Sequence, residues 1–399
     1  MKRWSFLFLF LALCLIFAPN GYAQKAKEKI TIGVMGPMSG AGAVWGINMQ
    51  RGVALAIEDI NNAGGVKVGN KRYLLDFISA DTKYTGAIAV SEGARMIFEN
   101  KIKYVIGPIG SSPAVAFSPL MNENKVLVLC NSYTPRAVSP QFPYNFRVVC
   151  STSHEVAPVL WKYVKEKYSA KNAVLIGQND ETGKAETDHD IDACNNLGIK
   201  VLHRELFDLA TTDFMPLMTK VFAMNPDAIE VGSAASGYVA QMVKALHELD
   251  YKGIKVSNSG SGEAKVFVPM IGKEACEGLV SANVDYSEDY ATPWMREFYT
   301  RCTDKFGKPF SMVSAWVYWP VMMLKEAMEE TGSLDVDVIK GYFETPGKKF
   351  MQIWGECPLG GKTYYGINHQ LKVHVPITEI RDGRNVLVRK PEIPPLELE

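Results

Sequence analysis

The sequence predicts an α/β fold made of two Rossmann-like lobes with parallel sheets. Three observations predict it. Short β-branched runs alternate with amphipathic helical stretches along the chain. This βα series runs once and then begins again at similar length. No low-complexity linker separates the two series, so short strand-like connections are expected as the hinge. Parallel sheets place ligands beyond the carboxyl ends of their strands, and two such edges face to face form a cleft.

The elements follow in order. Ile30 to Met35 reads as the first strand. A helix is expected from about Gly46, because Met49, Val53, Ala56, Ile57 and Ile60 share one helical face. Asn62-Ala63-Gly64-Gly65 stops it. Tyr73 to Ser79 is a strand, Thr85 to Glu99 a helix, and Lys103 to Ile106 a strand. After Gly107-Pro108 another helix is expected to open at Pro113, followed by a strand at Val126 to Leu129. The second series begins with a helix from about His154 to Tyr168. It continues with a strand at Asn172 to Ile176, a helix at Glu186 to Asn196 and a strand at Lys200 to Leu206. Further helices are expected over Asp213 to Met224, the stretch containing Val239, Met242, Val243 and Leu246, Pro293 to Lys305 and Val313 to Glu330. Further strands are expected at Asp227 to Val231, Ile254 to Ser257 and Gly278 to Ser281.

Residues 1–23 read as a secretory signal peptide. Lys2 and Arg3 precede the apolar run Trp4 to Phe17, and Gly21 and Ala23 stand at the spacing of a cleavage site after Ala23. A run of about 14 residues falls short of the roughly 20 that a membrane anchor needs. Cys14 follows Leu13, where a lipid-modified cysteine wants a small residue. The expected location is therefore the periplasm. Lys and Arg together number 43, as do Asp and Glu, so charge offers no case for nucleic acid or an anionic membrane surface. Cys130, Cys150, Cys194, Cys276, Cys302 and Cys357 are irregularly spaced with no CxxC, so isolated buried thiols are expected, with one disulfide left open.

The segment Gly107-Pro108-Ile109-Gly110-Ser111-Ser112-Pro113 stands between a strand and a helix. Pro113 suits the first helical position, and Ser112 then suits the N-cap. The free amides and the positive end of such a helix favour an anion, and Ser111 adds a hydroxyl. An ordinary capped helix without a ligand is the competing reading.

Several segments together resemble the leucine/isoleucine/valine-type periplasmic binding proteins of ABC importers. They are KITIGVMGPMSGAGAVWGINMQRGVALAIEDINNAGG, IKYVIGPIGSSPAVAFSP, KVLVLCNSYTPRAV, NFRVVCSTS, PDAIEVG, ACEGLVSANVDYS and NHQLKVHVPITEIRDGR. The resemblance implies a type I periplasmic binding protein, in which two lobes joined by three crossovers close on one ligand. It places lobe one at 28–147 plus 285–372, and lobe two at 148–284 plus 373–399. It implies a small-molecule ligand, an ABC transporter permease as partner, a monomer, and no cofactor, metal or catalytic step. Family members hold the ligand carboxylate with a serine and a threonine that match Ser111 and Thr134. Ser112 and Tyr133 lie beside them, and Ser132 contributes backbone groups. Trp45 matches an aromatic residue laid against the ligand. Lobe two departs from the amino-acid pattern: Thr182 stands where a tyrosine is usual, and Ala234 lies in a loop that usually carries an aromatic. Ser261 stands where a glutamate meets the ligand ammonium, unless the register shifts by two to Glu263. The resemblance therefore implies a carboxylate ligand, an amino acid or an organic or aromatic acid, with the α-amino group in doubt. Asp180, Glu181 and Asp285 remain alternative sources of charge.

Rival readings are weaker. Gly40 to Gly46 has a loose glycine-rich shape, but the acidic residue after the second strand, Asp81, lies well past the about 20 positions a dinucleotide site expects. No G-x-S-x-G elbow or HExxH is present. Asp188-His189-Asp190-Ile191-Asp192 lacks the glycine and glutamate of a calcium loop and reads as a solvated helix start. His369 and His374 receive no role. A sensory receptor of the same fold, feeding a signalling system, is the alternative to transport. A purely structural exported protein is the third.

Overall fold

The computed structural model describes residues 28–148, 152–258 and 263–393. The chain opens with β1 (Lys29–Gly36), α1 (Ala43–Asn62), β2 (Val66–Val68), β3 (Lys71–Asp81), α2 (Gly86–Phe98), β4 (Tyr104–Ile109), α3 (Ser111–Glu123), β5 (Leu127–Asn131) and β6 (Asn145–Arg147). It then crosses to a second sheet. There it forms α4 (Ser153–Tyr168), β7 (Asn172–Gln178), α5 (Glu181–Asn196), β8 (Lys200–Phe207), α6 (Met215–Phe222), β9 (Ala228–Ser233) and α7 (Ser236–Glu248), followed by β10 (Ile254–Ser257), α8 (Ala264–Ile271), α9 (Lys273–Cys276) and β11 (Leu279–Ser281). It returns to the first lobe for α10 (Pro293–Phe306), α11 (Val313–Thr331), α12 (Val336–Phe343), β12 (Lys349–Gln352), β13 (Gly355–Gly360), α13 (Lys362–Tyr365) and β14 (Gln370–Leu371). A third crossing adds β15 (Val375–Arg381) and β16 (Arg384–Glu392) to the second.

The lobe-one sheet runs β12-β13-β14-β6-β5-β4-β1-β3-β2, and the lobe-two sheet β16-β15-β11-β10-β9-β7-β8. Their central pairs are parallel, as the βα alternation predicts. The sheets are nevertheless mixed. β2 pairs antiparallel with β3, β13 with β12 and β14, and β15 with β11 and β16. Parallel pairing needs a crossover of a dozen or more residues, and the turns at Gly69-Asn70, Ile353-Trp354 and Asp382-Gly383 are too short for one.

Each sheet is covered on both faces, so its central strands are mostly apolar, with buried Glu230 in β9 and Lys255 in β10 as exceptions. Alternate residues serve opposite layers. In lobe one, Val34, Ile106 and Leu129 face α1 and α11, whereas Val105 and Val128 meet Phe117 of α3. In lobe two, Val174, Ile229 and Val231 pack toward α7, and Ala173, Leu175 and Val256 toward Trp161 of α4. Cys130, Cys194, Cys276, Cys302 and Cys357 are all buried and free. Cys150 lies outside the described residues.

Both sheets reverse their build direction beside their first strand. β3 lies on one side of β1 and β4 on the other; β8 lies on one side of β7 and β9 on the other. The loops leaving these switch points diverge and leave a crevice between them. Trp45 and Ser111 follow β1 and β4, and Thr182 and Ala234 follow β7 and β9.

Several helix starts differ from expectation. A 3-10 turn at Gly40–Gly42 leads into α1 at Ala43, so Trp45 stands in the first helical turn, not ahead of it. α3 begins at Ser111 with Gly110 as its cap. Ser112 is therefore not the N-cap, and Pro113 occupies the third helical position. Gly110 has φ 107, and a Cβ there would meet the Tyr84 ring at 2.7 Å. Only glycine tolerates both that conformation and that approach. α5 starts at Glu181, because the Asp180 side chain caps it by accepting from the Gly183 amide at 2.9 Å. Residues 188–192 thus lie inside a helix, with Asp190 fully buried, and not at a solvated helix start.

α1 and α11 approach closely at Gly52, where an added Cβ would sit 1.9 Å from the Ser314 carbonyl oxygen. Overpacking at backbone contact costs about 1–3 kcal/mol or more. Gly52→Ala is expected to lower the unfolding free energy by at least about 2 kcal/mol in a denaturant titration.

Candidate ligand-binding cleft

Between the lobes lies a cavity of about 380 Å³, counting its mouth. Its lobe-one wall includes Trp45, Tyr84, Ile109, Tyr133 and Trp316. Thr182, Glu186 and Ala234 form the lobe-two wall. Trp45 and Tyr84 have ring centroids 6.2 Å apart. Aromatic side chains dominate one side, which suits a flat apolar body.

At one edge of the cavity the N-termini of α3 and α5 meet. Ser111 donates its amide to the Thr182 hydroxyl at 3.0 Å, and its own hydroxyl accepts the Tyr133 and Thr134 amides at 3.1 and 3.2 Å. The Thr182 hydroxyl also meets the Tyr84 hydroxyl at 3.0 Å. The Glu181 carboxylate, in the first turn of α5, reaches across to lobe one. It accepts from the Thr134 hydroxyl at 2.7 Å and from Arg136 at 3.0 Å, while the Glu181 amide reaches the Ser112 hydroxyl at 3.4 Å. One carboxylate in the first turn of α5 thus meets a hydroxyl and an exposed guanidinium of lobe one, beside the start of α3. These bonds join the lobes, so the arrangement is a closed one. A second interlobe contact runs from Glu263, just ahead of α8, to the start of α11, where its carboxylate accepts from Ser311 Oγ at 3.0 Å and the Met312 amide at 2.6 Å.

Gln178, at the end of β7, braces the lobe-two wall. Its side-chain nitrogen donates to Tyr84 Oη at 3.2 Å and to Asp180 at 2.9 Å, and its oxygen accepts the Ala235 amide at 3.1 Å. Behind Glu186, one helical turn further along α5, Asp190 accepts from Trp161 Nε1 at 2.6 Å and Asn258 Nδ2 at 2.9 Å. Nearby Glu230 accepts from the Gly232 and Asn258 amides. Burial pushes both carboxyls above the usual range, and Asp190 adds to the rise of Glu230. They support the wall and do not line the cavity.

The structure brings Ser111, Ser112, Ser132, Tyr133, Thr134 and Thr182 to one place, but divides their roles. Trp45, Tyr133, Thr182 and Ala234 line the cavity. Ser111 and Thr134 stand behind that lining, with Ser111's amide engaged by Thr182 and Thr134's hydroxyl by Glu181. Ser132 is fully buried beside them. Ser261 lies outside the described residues. Glu263, the alternative at that position, serves the interlobe contact to α11. Sequence reasoning passed over Tyr84, Glu186 and Trp316. Tyr84 sits just before α2 with φ 61, a backbone conformation the pattern does not announce. Glu186 reads as an ordinary helix residue until α5 is known to start at Glu181. Trp316 lies in the chain's third pass, far from the motifs of the first.

No group of three or more His, Cys, Asp or Glu among the described residues could hold a metal ion, and no described helix is long and apolar enough to cross a membrane.

Two sheets hinged by three crossovers around an aromatic cleft define a two-lobed small-molecule receptor. The periplasmic binding protein family model matches residues 29–384, and the chain belongs to that family, a family of solute-binding proteins. It is 27% identical over 325 residues to a Leu/Ile/Val-binding protein homolog of Brucella melitensis, covering 80% of this chain and 83% of the relative. It is also 27% identical to the Leu/Ile/Val-binding protein of Escherichia coli K12 over 276 residues, 68% of this chain and 71% of the relative. Among solved structures, a solute-binding protein of an ABC transporter from Rhodopseudomonas palustris HaA2 in complex with p-hydroxybenzoic acid matches with TM-score 0.78 at 23% identity, covering 92% of this chain and 98% of the other. The branched-chain amino acid transporter substrate-binding protein LivJ from Streptococcus pneumoniae, in complex with isoleucine, matches with TM-score 0.77 at 19% identity, covering 92% and 100%. These likenesses show the type I periplasmic binding protein fold.

Burial pushes the Glu263 carboxyl up to about 8, against the two hydrogen bonds that favour its charge. A carboxyl that holds its proton more tightly folded than unfolded contributes fully below the ordinary glutamate range. That contribution is lost as pH rises from there to about 8. Glu263→Gln stays neutral and can keep the Met312 amide on its oxygen. Thermal denaturation of this variant is expected to show a weaker decline in stability between pH 5 and pH 8 than the parent.

Proposed function

We infer that the chain is the periplasmic solute-binding component of an ABC importer, exported by a cleaved signal peptide and acting as a monomer. It captures a small carboxylate with an apolar body, an aromatic acid or an amino acid, by lobe closure. The observation that supports this reading is the meeting of the α3 and α5 N-termini beside an aromatic cleft, where Thr134 and Arg136 hold the Glu181 carboxylate. Glu181 holds that place in the closed chain. In an open chain α5 withdraws and carries Thr182 and Glu181 away, leaving the Ser111 amide and the Thr134 hydroxyl free for the ligand's carboxylate. On closure the ligand's carboxylate takes the place of Glu181, Trp45, Tyr84 and Trp316 cover its body, and Thr182 and Glu186 complete the cage. Closure follows because the ligand touches both lobes only in that state. The steps are binding and motion alone, with no bond made or broken, and the closed surface is what a permease would recognise.

Glu186 sets a second requirement. A carboxylate on the far wall favours a donor at the ligand's other end, which a phenolic hydroxyl or an ammonium supplies. The relatives whose names or complexes include branched-chain amino acids and p-hydroxybenzoic acid span the same two choices. The aromatic wall favours the aromatic acid. In a calorimetric screen, 4-hydroxybenzoate is expected to bind more tightly than benzoate or leucine. Nanomolar leucine or valine binding with no response to organic acids would overturn this preference, and failure of both classes would overturn the cleft assignment.

Replacing Ser111 and Thr134 together with alanine is expected to weaken binding, since a hydrogen bond to a charged group contributes about 1.5–3 kcal/mol. Unchanged affinity removes the helix mouth from the site. Glu181→Gln is expected to act in the opposite direction, tightening acid binding about 3- to 10-fold because the chain's own anion no longer competes. Weaker binding in that variant would show that Glu181 assists the ligand and does not rival it.

A further inference from the structure

Tyr84 belongs to lobe one, in the loop between β3 and α2, and lobe one alone fixes its direction. Lys83 and Tyr84 have φ 48 and 61, a left-handed conformation that residues with a Cβ disfavour. Bonds within lobe one hold the chain there. Asp81 Oδ1 accepts the Lys83 and Met38 amides, both at 2.8 Å, and Thr82 Oγ1 accepts the Tyr84 amide at 3.3 Å. The ring then lies so close to Gly110 that a Cβ there would meet it at 2.7 Å, with the Trp45 ring centroid 6.2 Å away.

Both hydrogen bonds of the Tyr84 hydroxyl cross to lobe two. It meets Thr182 Oγ1 at 3.0 Å and accepts from Gln178 Nε2 at 3.2 Å. Lobe two fixes these receiving groups by itself. Gln178 is fully buried at the end of β7, its nitrogen also donates to Asp180 at 2.9 Å, and its oxygen accepts the Ala235 amide at 3.1 Å. The Ala235 bond sets which end of the side-chain amide faces Tyr84. Asp180 in turn caps α5 through the Gly183 amide at 2.9 Å, which places Thr182. Groups held in place on each lobe lose little freedom when they meet, so more of the bond's energy goes to closure.

We propose that Tyr84 is a positioning residue for lobe closure: its hydroxyl latches lobe one into a socket on lobe two, made by Gln178 and Thr182, and so sets how much of the chain is closed. This role rests on the lobe-closure reading above and not on the identity of the ligand. A latch between the lobes favours the closed state by the same amount whatever fills the cleft, and apparent affinity scales with the closed fraction. The Tyr84 ring lines the cleft and can discriminate among ligands; the hydroxyl, spent between the lobes, does not.

Tyr84→Phe in the whole chain keeps the ring and removes the hydroxyl. With 4-hydroxybenzoate, benzoate and leucine as probes, calorimetry is expected to show every affinity of the parent fall by a common factor of about 3- to 10-fold. Stopped-flow fluorescence is expected to place the loss in faster dissociation, with association little changed. A residue that only supports the fold would lower the melting temperature and leave these affinities alone. Unchanged affinities, or a loss confined to one probe, would each overturn the latch, the second by making the hydroxyl a ligand contact. If no probe binds the parent, the cleft assignment fails instead, and small-angle X-ray scattering of the ligand-free chains decides the latch. A larger radius of gyration in Tyr84→Phe supports it, and identical curves overturn it.

Discussion

Two helix N-termini pointing at each other are electrostatically unfavourable unless something negative lies between them. In this chain the switch points of the two sheets bring α3 and α5 together, the Ser111 amide meets the Thr182 hydroxyl, and the Glu181 carboxylate in the first turn of α5 adds a negative charge nearby. Much of the cleft follows from this constraint. Gly110 is needed so that α3 can start close against Tyr84. Asp180 is needed to cap α5 and so present Glu181 and Thr182 to the other lobe. Gln178 ties Tyr84 to the loop that carries Ala235, which keeps the two walls in register.

The same geometry explains why closure can be selective. Most of the interlobe hydrogen bonds at the cleft are made by groups that would otherwise face a ligand or water. On the reading proposed above, an incoming carboxylate would replace an internal anion and would not add a charge to a neutral site. The lobes also meet at Glu263 and the start of α11, away from the aromatic wall. Two separate contacts between the lobes limit the freedom of the closed state to rock.

The fold was legible because alternating β-branched runs and helical periodicities are local and repeat. The helix start beside the cleft was legible because Gly110-Ser111-Ser112-Pro113 concentrates turn and helix-start chemistry in a few residues. The position of each helix start was less so. Ser112 looked like a cap because Pro113 suits a first turn, but the tight entry at Gly110 moved the helix start to Ser111. The edge hairpins were missed although Gly69-Asn70 and Asp382-Gly383 are themselves hairpin-turn dipeptides, because the reading followed the βα alternation and did not test these turns. Tyr84, Glu186 and Trp316 reach the cleft only through tertiary placement: an unusual backbone conformation, a helix longer than its periodicity, and a third pass of the chain. Ser261 was assigned from alignment of a polar loop, where register is weakly determined.

The free cysteines have a practical consequence. Cys130, Cys302 and Cys357 lie in one lobe and Cys194 and Cys276 in the other, all shielded from solvent. Burial raises Cys130, Cys276 and Cys357 to about 11, so little thiolate exists at neutral pH while the lobes stay folded. Alkylation then proceeds only through opening of the surrounding core. Mapping which peptide acquires the label over time would give a separate clock for each half of the molecule, without adding any foreign reporter group.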